Sequence, residues 1–159
     1  MAEAVKTNVM RILEREGVPH TVHIYDPDLG IDGVSVARQL GQDPQAVFKT
    51  LVTQGKSRQF FVFVIPVNAT LSLKRAAQAC GEKSVEMIPQ KLLLPTTGYI
   101  HGGCSPIGMK KAFPTYIDSA VLSQERISVS AGVRGCQVIL ARDALIACTG
   151  AAVADLCRA

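Results

Sequence analysis

The chain is poor in aromatic residues and has no long apolar or basic run. Aromatic residues make up 5% of its 159 residues and tryptophan is absent, so a hydrophobic core has to be built from Val, Ile, Leu and Ala. No run of five or more Lys or Arg occurs, which excludes a basic tail. No apolar run approaches the roughly 20 residues that cross a bilayer. The amphipathic N-terminus also lacks the unbroken apolar stretch of a signal peptide, so we expect no membrane association.

The remaining composition is that of a folded globular protein. Hydrophobic residues make up 48% of the chain and charged residues 19%, far from the composition of a disordered chain. The length fits one domain that can bury a core, and we predict a single domain over residues 1–159. The formal net charge of +4 is compatible with a nucleic-acid partner without requiring one.

The cysteines are five in number and unevenly spaced, and no two of them form a CxxC pair. A secreted disulfide scaffold typically has an even set at regular spacings, so this pattern predicts free thiols in a reducing compartment. The expected location is the cytoplasm. The five are Cys80, Cys104, Cys136, Cys148 and Cys157.

Motifs for common cofactors and metals are missing. The sequence contains no GxxxxGK[ST], no GxSxG and no GxGxxG, which are the signatures of phosphate loops, hydrolase elbows and dinucleotide sites. His20 and His23 lie three apart in an expected strand, where their side chains would point to opposite faces. The sequence therefore predicts neither a cofactor nor a metal site.

Hydrophobic periodicity predicts an α+β fold with strands and helices interspersed around a mixed sheet. Residues 59–67 are apolar on both faces and predict a central strand. Further strands are predicted over 21–25, 49–53, 115–118, 127–130 and 136–140. An N-terminal helix should bury Val5, Val9, Ile12 and Leu13, and further helices are predicted over 34–40, 44–48, 73–80, 89–94, 142–149 and 151–156.

The glycine-rich segment from His101 to Pro106 is the most unusual local sequence. Paired glycines let a ligand approach the backbone, whose N–H groups could face a carbonyl oxygen. The same residues are typical of a tight turn between strands, which is the simpler interpretation. Cys104 could be a nucleophile in this segment, but a catalytic thiol needs a lowered pKa and a positioned base, and free cysteines are commonly buried.

Two further positions could carry chemistry. Lys49 starts an apolar stretch, so it could be partly buried and bind a phosphate, a carboxylate or a developing oxyanion. A solvated surface lysine is the simpler interpretation. Ser130 ends a predicted strand before two glycines, which is typical of a hairpin turn or of the edge of a site.

Several segments, taken in order, resemble one family. They are VFKTL at 47–51, KSVEMIP at 83–89, TGYIHGGCSPIGMKK at 97–111, VSAGVRG at 129–135 and VADL near the end. The set resembles the YbaK/EbsC branch of the bacterial prolyl-tRNA synthetase editing-domain superfamily over nearly the whole chain. The resemblance implies a mixed β-sheet or barrel surrounded by short helices, and an enzyme that removes cysteine from Cys-tRNA(Pro) and from Cys-tRNA(Cys).

The resemblance also implies site residues. The key lysine of the family falls on Lys49, followed by Thr50, and a tyrosine and a serine of its pocket fall on Tyr25 and Ser130. The substrate's own thiol would attack its ester, with Lys49 placing the substrate and with no metal or cofactor. The glycine loop of the family, which would hold the aminoacyl group, falls on Gly102, Gly103, Cys104, Ser105 and Pro106.

This chain departs from some relatives at two places. It has Leu29-Gly30-Ile31-Asp32 where some carry an aromatic residue, and Gln137 where some carry an acid. Both departures bear on the size selectivity of the pocket, while the reaction class stays the same.

Three other functions remain open at this point. They are a sibling deacylase for Ala-, Ser- or Thr-tRNA, a non-catalytic module that binds tRNA or a synthetase, and a hydrolase that uses the Cys104 thiol. The small net charge predicts weak, salt-dependent tRNA binding. We therefore expect recruitment through a complex of prolyl-tRNA synthetase with its tRNA. The sequence does not indicate an oligomeric state.

Overall fold

The computed structural model describes residues 6–158 and has an α+β architecture with two β-sheets. Val5, expected on the first helix, lies outside the described residues. The strands are β1 His20–Ile24, β2 Phe48–Gly55, β3 Phe60–Pro66, β4 Val85–Met87, β5 Thr115–Asp118, β6 Arg126–Ser130, β7 Cys136–Ala141 and β8 Ala152–Ala154. The α-helices are α1 Asn8–Arg15, α2 Gly33–Leu40, α3 Leu73–Cys80, α4 Gln90–Thr97 and α5 Arg142–Thr149, and 3₁₀ helices span Pro27–Leu29, Pro44–Ala46 and Ser119–Ser123.

The larger sheet is mixed and has the order β4-β2-β3-β5-β8. β2 and β3 form an antiparallel hairpin, and β5 and β8 continue the sheet in parallel. Six of the seven residues of β3 are buried, which confirms the prediction of a central strand that is apolar on both faces.

The smaller sheet is antiparallel, with the order β1-β7-β6, and it packs against one face of the larger sheet. The cluster between the sheets contains Val52 and Val64 from the larger sheet and Val129 and Val138 from the smaller one. A single parallel bridge from Val47 to Ser128 joins the two sheets. The fold therefore matches the predicted α+β class with a mixed sheet, divided into two sheets.

The opposite face of the larger sheet is covered by α3 and the C-terminal segment. Phe61, Phe63 and Ile65 of β3 pack there with Ala76 of α3 and with Leu156. Because side chains alternate along a strand, β3 supplies apolar residues to both faces. None of the helices described between residues 6 and 158 is long and apolar enough to cross a membrane.

The predicted helix over 151–156 is wrong. Gly150, in the left-handed conformation with φ 67°, ends α5, and Ala152–Ala154 then pairs in parallel with β5. Alanine has a high helix propensity, but the open edge of β5 and the burial of Leu156 offer more stabilisation than an isolated terminal helix would. A hydrogen bond from the Leu156 N–H to the Asp118 carboxylate, 2.9 Å long, fixes the segment.

Two smaller differences lie beside β2. The predicted helix over 44–48 is a 3₁₀ helix that ends at Ala46, and Phe48 already belongs to β2. The three-residue strand β4 was not predicted, because only its pairing with Thr53, Gln54 and Gly55 identifies it as a strand.

We expect Leu156→Ala to destabilise the protein, because Leu156 is fully buried although it lies three residues from the C-terminus. Deleting a buried leucine side chain typically costs about 3 kcal/mol, which urea denaturation would measure. The matched control is Val153→Ala, which removes a side chain that is 40% exposed and should cost less than about 1 kcal/mol. An equally small effect of both changes would contradict the docked position of the C-terminal segment.

Candidate active site

A cavity of about 520 Å³ opens beside the first half of β2. Four parts of the chain surround it: the start of α2, the first half of β2, the glycine loop (residues 101–106) and the end of β6. The lining residues are Tyr25, Ile31, Asp32, Gly33, Val34, Val36, Val47, Phe48, Lys49, Thr50, Leu51, Val67, Leu93, His101, Gly102, Cys104, Val129, Ser130 and Gln137.

The hydrogen bonds of β2 show which backbone groups face this cavity. The Val47 carbonyl accepts from the Val67 N–H at 2.8 Å, and the Val52 carbonyl accepts from the Ile88 N–H at 3.2 Å. Successive residues of an antiparallel strand bond to opposite sides, so odd-numbered residues of β2 bond toward β3 and even-numbered ones toward the outer edge. The N–H and C=O of Thr50 therefore point to the outer edge.

That outer edge is uncovered at Thr50. The neighbouring strand β4 pairs only with Thr53–Gly55, and β6 meets this edge only through the bridge from Ser128 to Val47, so no strand of the described chain pairs with Thr50 there. The Thr50 hydroxyl oxygen is also buried without a hydrogen-bond partner among residues 6–158. A buried polar group left without a partner is costly, so Thr50 offers a ligand one donor, one acceptor and one unsatisfied hydroxyl.

Lys49 also lines the cavity, with its side chain on the face of β2 opposite to the Thr50 side chain. It pairs with Ile65 across the hairpin, and alternation puts its side chain on the face of Leu51. Burial lowers the pKa of Lys49 below its ordinary value, because the charged form loses solvation. None of the ion pairs between residues 6 and 158 involves Lys49, so this partly buried amine has no anionic partner within 4.0 Å.

Cys157 lies near enough to Lys49 for each group to influence the pKa of the other. A Cys157 thiolate would raise the pKa of Lys49, but burial and the Asp118 carboxylate raise the pKa of Cys157 to about 12. Cys157 is therefore a neutral thiol at pH 7. Cys157 thus puts no negative charge beside the Lys49 side chain, which leaves that side chain free for an anionic ligand or a developing oxyanion.

The glycine loop is held in place by the turn between β6 and β7 (residues 131–135), called here the β6–β7 turn. A side chain on Gly103 would meet backbone atoms of Val133 and Arg134 at 3.0 Å, so only glycine allows the two segments to lie this close. The Arg134 Nε also donates to the His101 carbonyl at 2.8 Å. These contacts fix the loop against the end of β6, where Ser130 accepts from the Gly132 N–H at 3.1 Å.

The structure brings most of the predicted site residues together. Those that line the cavity are Tyr25, Lys49, Thr50, Gly102, Cys104 and Ser130. The other three, Gly103, Ser105 and Pro106, are buried outside the described lining. Their positions indicate that they shape the glycine loop, because the fully buried Ser105 uses its hydroxyl to accept from the Ile107 N–H at 3.2 Å. That these three residues bind the substrate stays a prediction.

Cys104 lacks the properties of a nucleophilic thiol. Burial raises its pKa to about 12, so the thiolate is scarce at pH 7, whereas catalytic cysteines have lowered pKa values. Its side chain packs against the core cluster between the sheets. All five cysteines are unpaired in the structure, as the sequence predicted.

Two parts of the cavity wall were not assigned as site residues from the sequence. Asp32 caps α2, and the hydroxyl of Ser35 donates to its carboxylate at 2.6 Å. This bond and a second one from the Ser35 N–H lower the pKa of Asp32, so the rim carries a carboxylate. Gln137 accepts from the Gln42 side chain at 2.5 Å and is buried. An N-cap aspartate in a long loop is a sequence signal that could have identified Asp32. No local signal identifies Gln137, because its contact with Gln42 spans 95 positions.

Comparison with known proteins agrees with this geometry. The sequence matches the aminoacyl-tRNA editing domain family over residues 32–148. It is 45% identical over 152 residues to EbsC of Enterococcus faecalis, which bears the name of a Cys-tRNA(Pro)/Cys-tRNA(Cys) deacylase, and the match covers 95% of this chain and 93% of that protein.

Two solved structures share the fold. The hypothetical protein APE2540 is similar with a TM-score of 0.86 and 21% identity, over 94% of this chain and 99% of that one. A protein described as a trans-editing enzyme for prolyl-tRNA synthetase gives a TM-score of 0.85 and 22% identity, over 98% and 100%. At these identities the two structures support the fold alone.

The family match includes every lining residue of the cavity except Tyr25 and Ile31, and this chain therefore belongs to the aminoacyl-tRNA editing domain family.

Proposed function

We propose that the chain is a trans-editing deacylase that removes cysteine from mischarged Cys-tRNA(Pro), with Cys-tRNA(Cys) as a second substrate. The observation that carries the proposal is the open edge of β2, where two successive residues line the cavity. Thr50 has an unpaired backbone and an unsatisfied hydroxyl there, and Lys49 is a partly buried cation without an anionic partner. The name of the 45% identical relative, a deacylase of these two substrates, supports the choice of amino acid and tRNA.

The cysteine thiol of the substrate is the nucleophile in the proposed reaction. Its sulfur bonds to the ester carbonyl carbon, the bond from that carbon to the ribose oxygen breaks, and the thiol proton passes to the ribose oxygen as the tRNA leaves. Water then opens the resulting thiolactone to give free cysteine. No group of the protein is consumed, and the buried Cys104 takes no part.

The protein residues bind and polarise the ester in this scheme. The Lys49 ammonium stabilises the negative charge that develops on the carbonyl oxygen, and its partial burial strengthens that interaction. The N–H, C=O and hydroxyl of Thr50 supply hydrogen bonds to the aminoacyl group, and the backbone at Gly102 closes the other side of the cavity.

The proposed route selects its substrate by the presence of a thiol rather than by the volume of the amino-acid side chain. Proline and cysteine have similar volumes, so a synthetase pocket that selects by size distinguishes them poorly and a second check is required. A mechanism that depends on the substrate thiol spares Pro-tRNA(Pro), because proline has no such group. The formal net charge of +4 gives this small domain weak, salt-dependent affinity for tRNA, so we further propose that prolyl-tRNA synthetase presents the tRNA. We also propose that editing takes place in the cytoplasm.

Purified protein should release cysteine from Cys-tRNA(Pro) much faster than it releases serine or alanine from the corresponding tRNAs. The assay follows loss of labelled amino acid with the three substrates in parallel. Serine is nearly isosteric with cysteine, so loss of cysteine alone supports the substrate-thiol route. Equal loss of serine or alanine would instead place the protein with the sibling deacylases, and no loss from any substrate would favour a binding module.

Lys49→Met should lower kcat/KM for cysteine release by about 100-fold, because a positioned group that stabilises an oxyanion is lost. The same change should not lower the stability at pH 7, since it removes a charge whose burial is unfavourable. The matched control is Lys56→Met, an exposed lysine just beyond the other end of β2, which should leave both quantities unchanged.

The stability gain from Lys49→Met should shrink as the pH rises. The folded-state pKa of Lys49 is lowered, so between that pKa and its ordinary value the unfolded chain binds more protons, and the stability of the wild type increases with pH. Urea denaturation at pH 7 and above pH 9 measures this. A variant that is less stable than the wild type at pH 7 would contradict the assignment of Lys49 as an uncompensated cation.

Cys104→Ser should retain most of the deacylase activity, because a thiol with a pKa raised to about 12 is neutral at pH 7. In the native protein the same thiol should resist alkylation by iodoacetamide at pH 7, as peptide mapping by mass spectrometry would show. Loss of activity to the uncatalysed rate in Cys104→Ser, together with inactivation by iodoacetamide, would establish the thiol hydrolase instead.

A further inference from the structure

Arg134 lies on the β6–β7 turn, in contact with two residues of the glycine loop. Its Nε donates to the His101 carbonyl at 2.8 Å and lies 3.2 Å from where a side chain on Gly102 would begin. His101 and Gly102 both line the cavity. The guanidinium therefore lies against the loop that closes one side of the cavity.

The charge of Arg134 is not neutralised within the described part of the chain. Of the ion pairs among residues 6–158, none includes Arg134, and the residue is exposed. A guanidinium has five N–H donors, of which the bond to His101 uses one. Four donors and a full positive charge therefore remain available beside His101 and Gly102.

The proposed substrate brings a phosphate to this place. This inference rests on the proposed function: the ester that is cleaved sits on the ribose of the 3′-terminal adenosine, and the 5′-phosphate of that nucleotide is separated from it only by the same ribose. With the ester in the cavity, the phosphate lies at the entrance. A planar guanidinium binds phosphate oxygens with two parallel hydrogen bonds, which a lysine ammonium does not reproduce.

We propose that Arg134 binds the 5′-phosphate of the terminal nucleotide of the tRNA, while its Nε positions the glycine loop through the His101 carbonyl. One planar group then contacts both the polynucleotide and the loop that holds the aminoacyl moiety. Arg134 is a substrate-binding and positioning residue in this scheme and takes no part in bond cleavage.

The test compares two small esters, cysteinyl-adenosine and cysteinyl-adenosine 5′-monophosphate, which differ only in the phosphate. After subtraction of the uncatalysed rate, the wild type should cleave the phosphorylated ester with a kcat/KM about fivefold higher, the upper end of what an exposed ion pair contributes. Arg134→Gln keeps a side-chain amide that can donate to His101 but has no charge. It should reduce this preference to about one.

Two further variants separate charge from shape. Arg134→Lys keeps the positive charge but lacks the planar guanidinium that binds two phosphate oxygens at once. It should therefore retain part of the preference for the phosphorylated ester. Arg126→Gln removes another exposed arginine, at the opposite end of β6, and should leave the preference intact. With full-length tRNA, Arg134→Gln should also reduce the slope of log(kcat/KM) against log[salt] by about 0.7, the loss of one phosphate contact to a single strand.

If Arg134→Gln lowered kcat/KM by the same factor for both esters, the proposal would be overturned, because the loss of a purely structural contact affects both esters alike. An unchanged preference would overturn it as well. Binding of adenosine 5′-monophosphate and adenosine, followed by NMR shifts of the Arg134 side chain, provides a readout that does not need turnover. Tighter binding of the monophosphate that is lost in Arg134→Gln supports the phosphate site even if the wild type cleaves no ester, which would refute the proposed function alone.

Discussion

A β-strand can hydrogen-bond along two edges, and the outer edge of β2 is covered along only half of its length. β3 satisfies one edge throughout, whereas β4 reaches only Thr53–Gly55 on the other. The second sheet joins β2 through a single bridge at Val47. Between these two contacts the backbone of Thr50 is left open, and α2, the glycine loop and β6 close around the gap without filling it. The cavity is a consequence of this incomplete pairing.

The cavity combines features that are unfavourable for the empty protein. Lys49 holds a partly buried charge without an anionic partner, and the Thr50 hydroxyl is buried without a hydrogen bond. Such groups are retained where a ligand compensates them. The clusters on both faces of β3 supply the stability that tolerates this cost. The open edge of β2 thus carries the candidate site, whereas the apolar faces of β3 supply the stability.

Local sequence was sufficient where a single physical factor decides the structure. The doubly apolar run over 59–67 predicted the central strand, and the hydrophobic period over 73–80 predicted α3 with the bounds that the structure shows. It failed at Ala152–Ala154, where helix propensity and strand pairing compete and only the neighbouring strand β5 decides. β4 has too few residues to show a period, so its pairing alone defines it.

The sequence by itself determined the chemical groups available: one lysine entering an apolar strand, a glycine-rich loop, free thiols, and ordered motifs that identify the editing family. Tertiary structure decided which of these groups meet. It opened the edge at Thr50, partly buried Cys104 so that its thiol stays neutral, and left Gly103, Ser105 and Pro106 outside the described lining of the cavity. It also placed Arg134 over a loop 33 positions away. Burial, edge pairing and long-range contacts depend on the packing of distant segments, which no local pattern records.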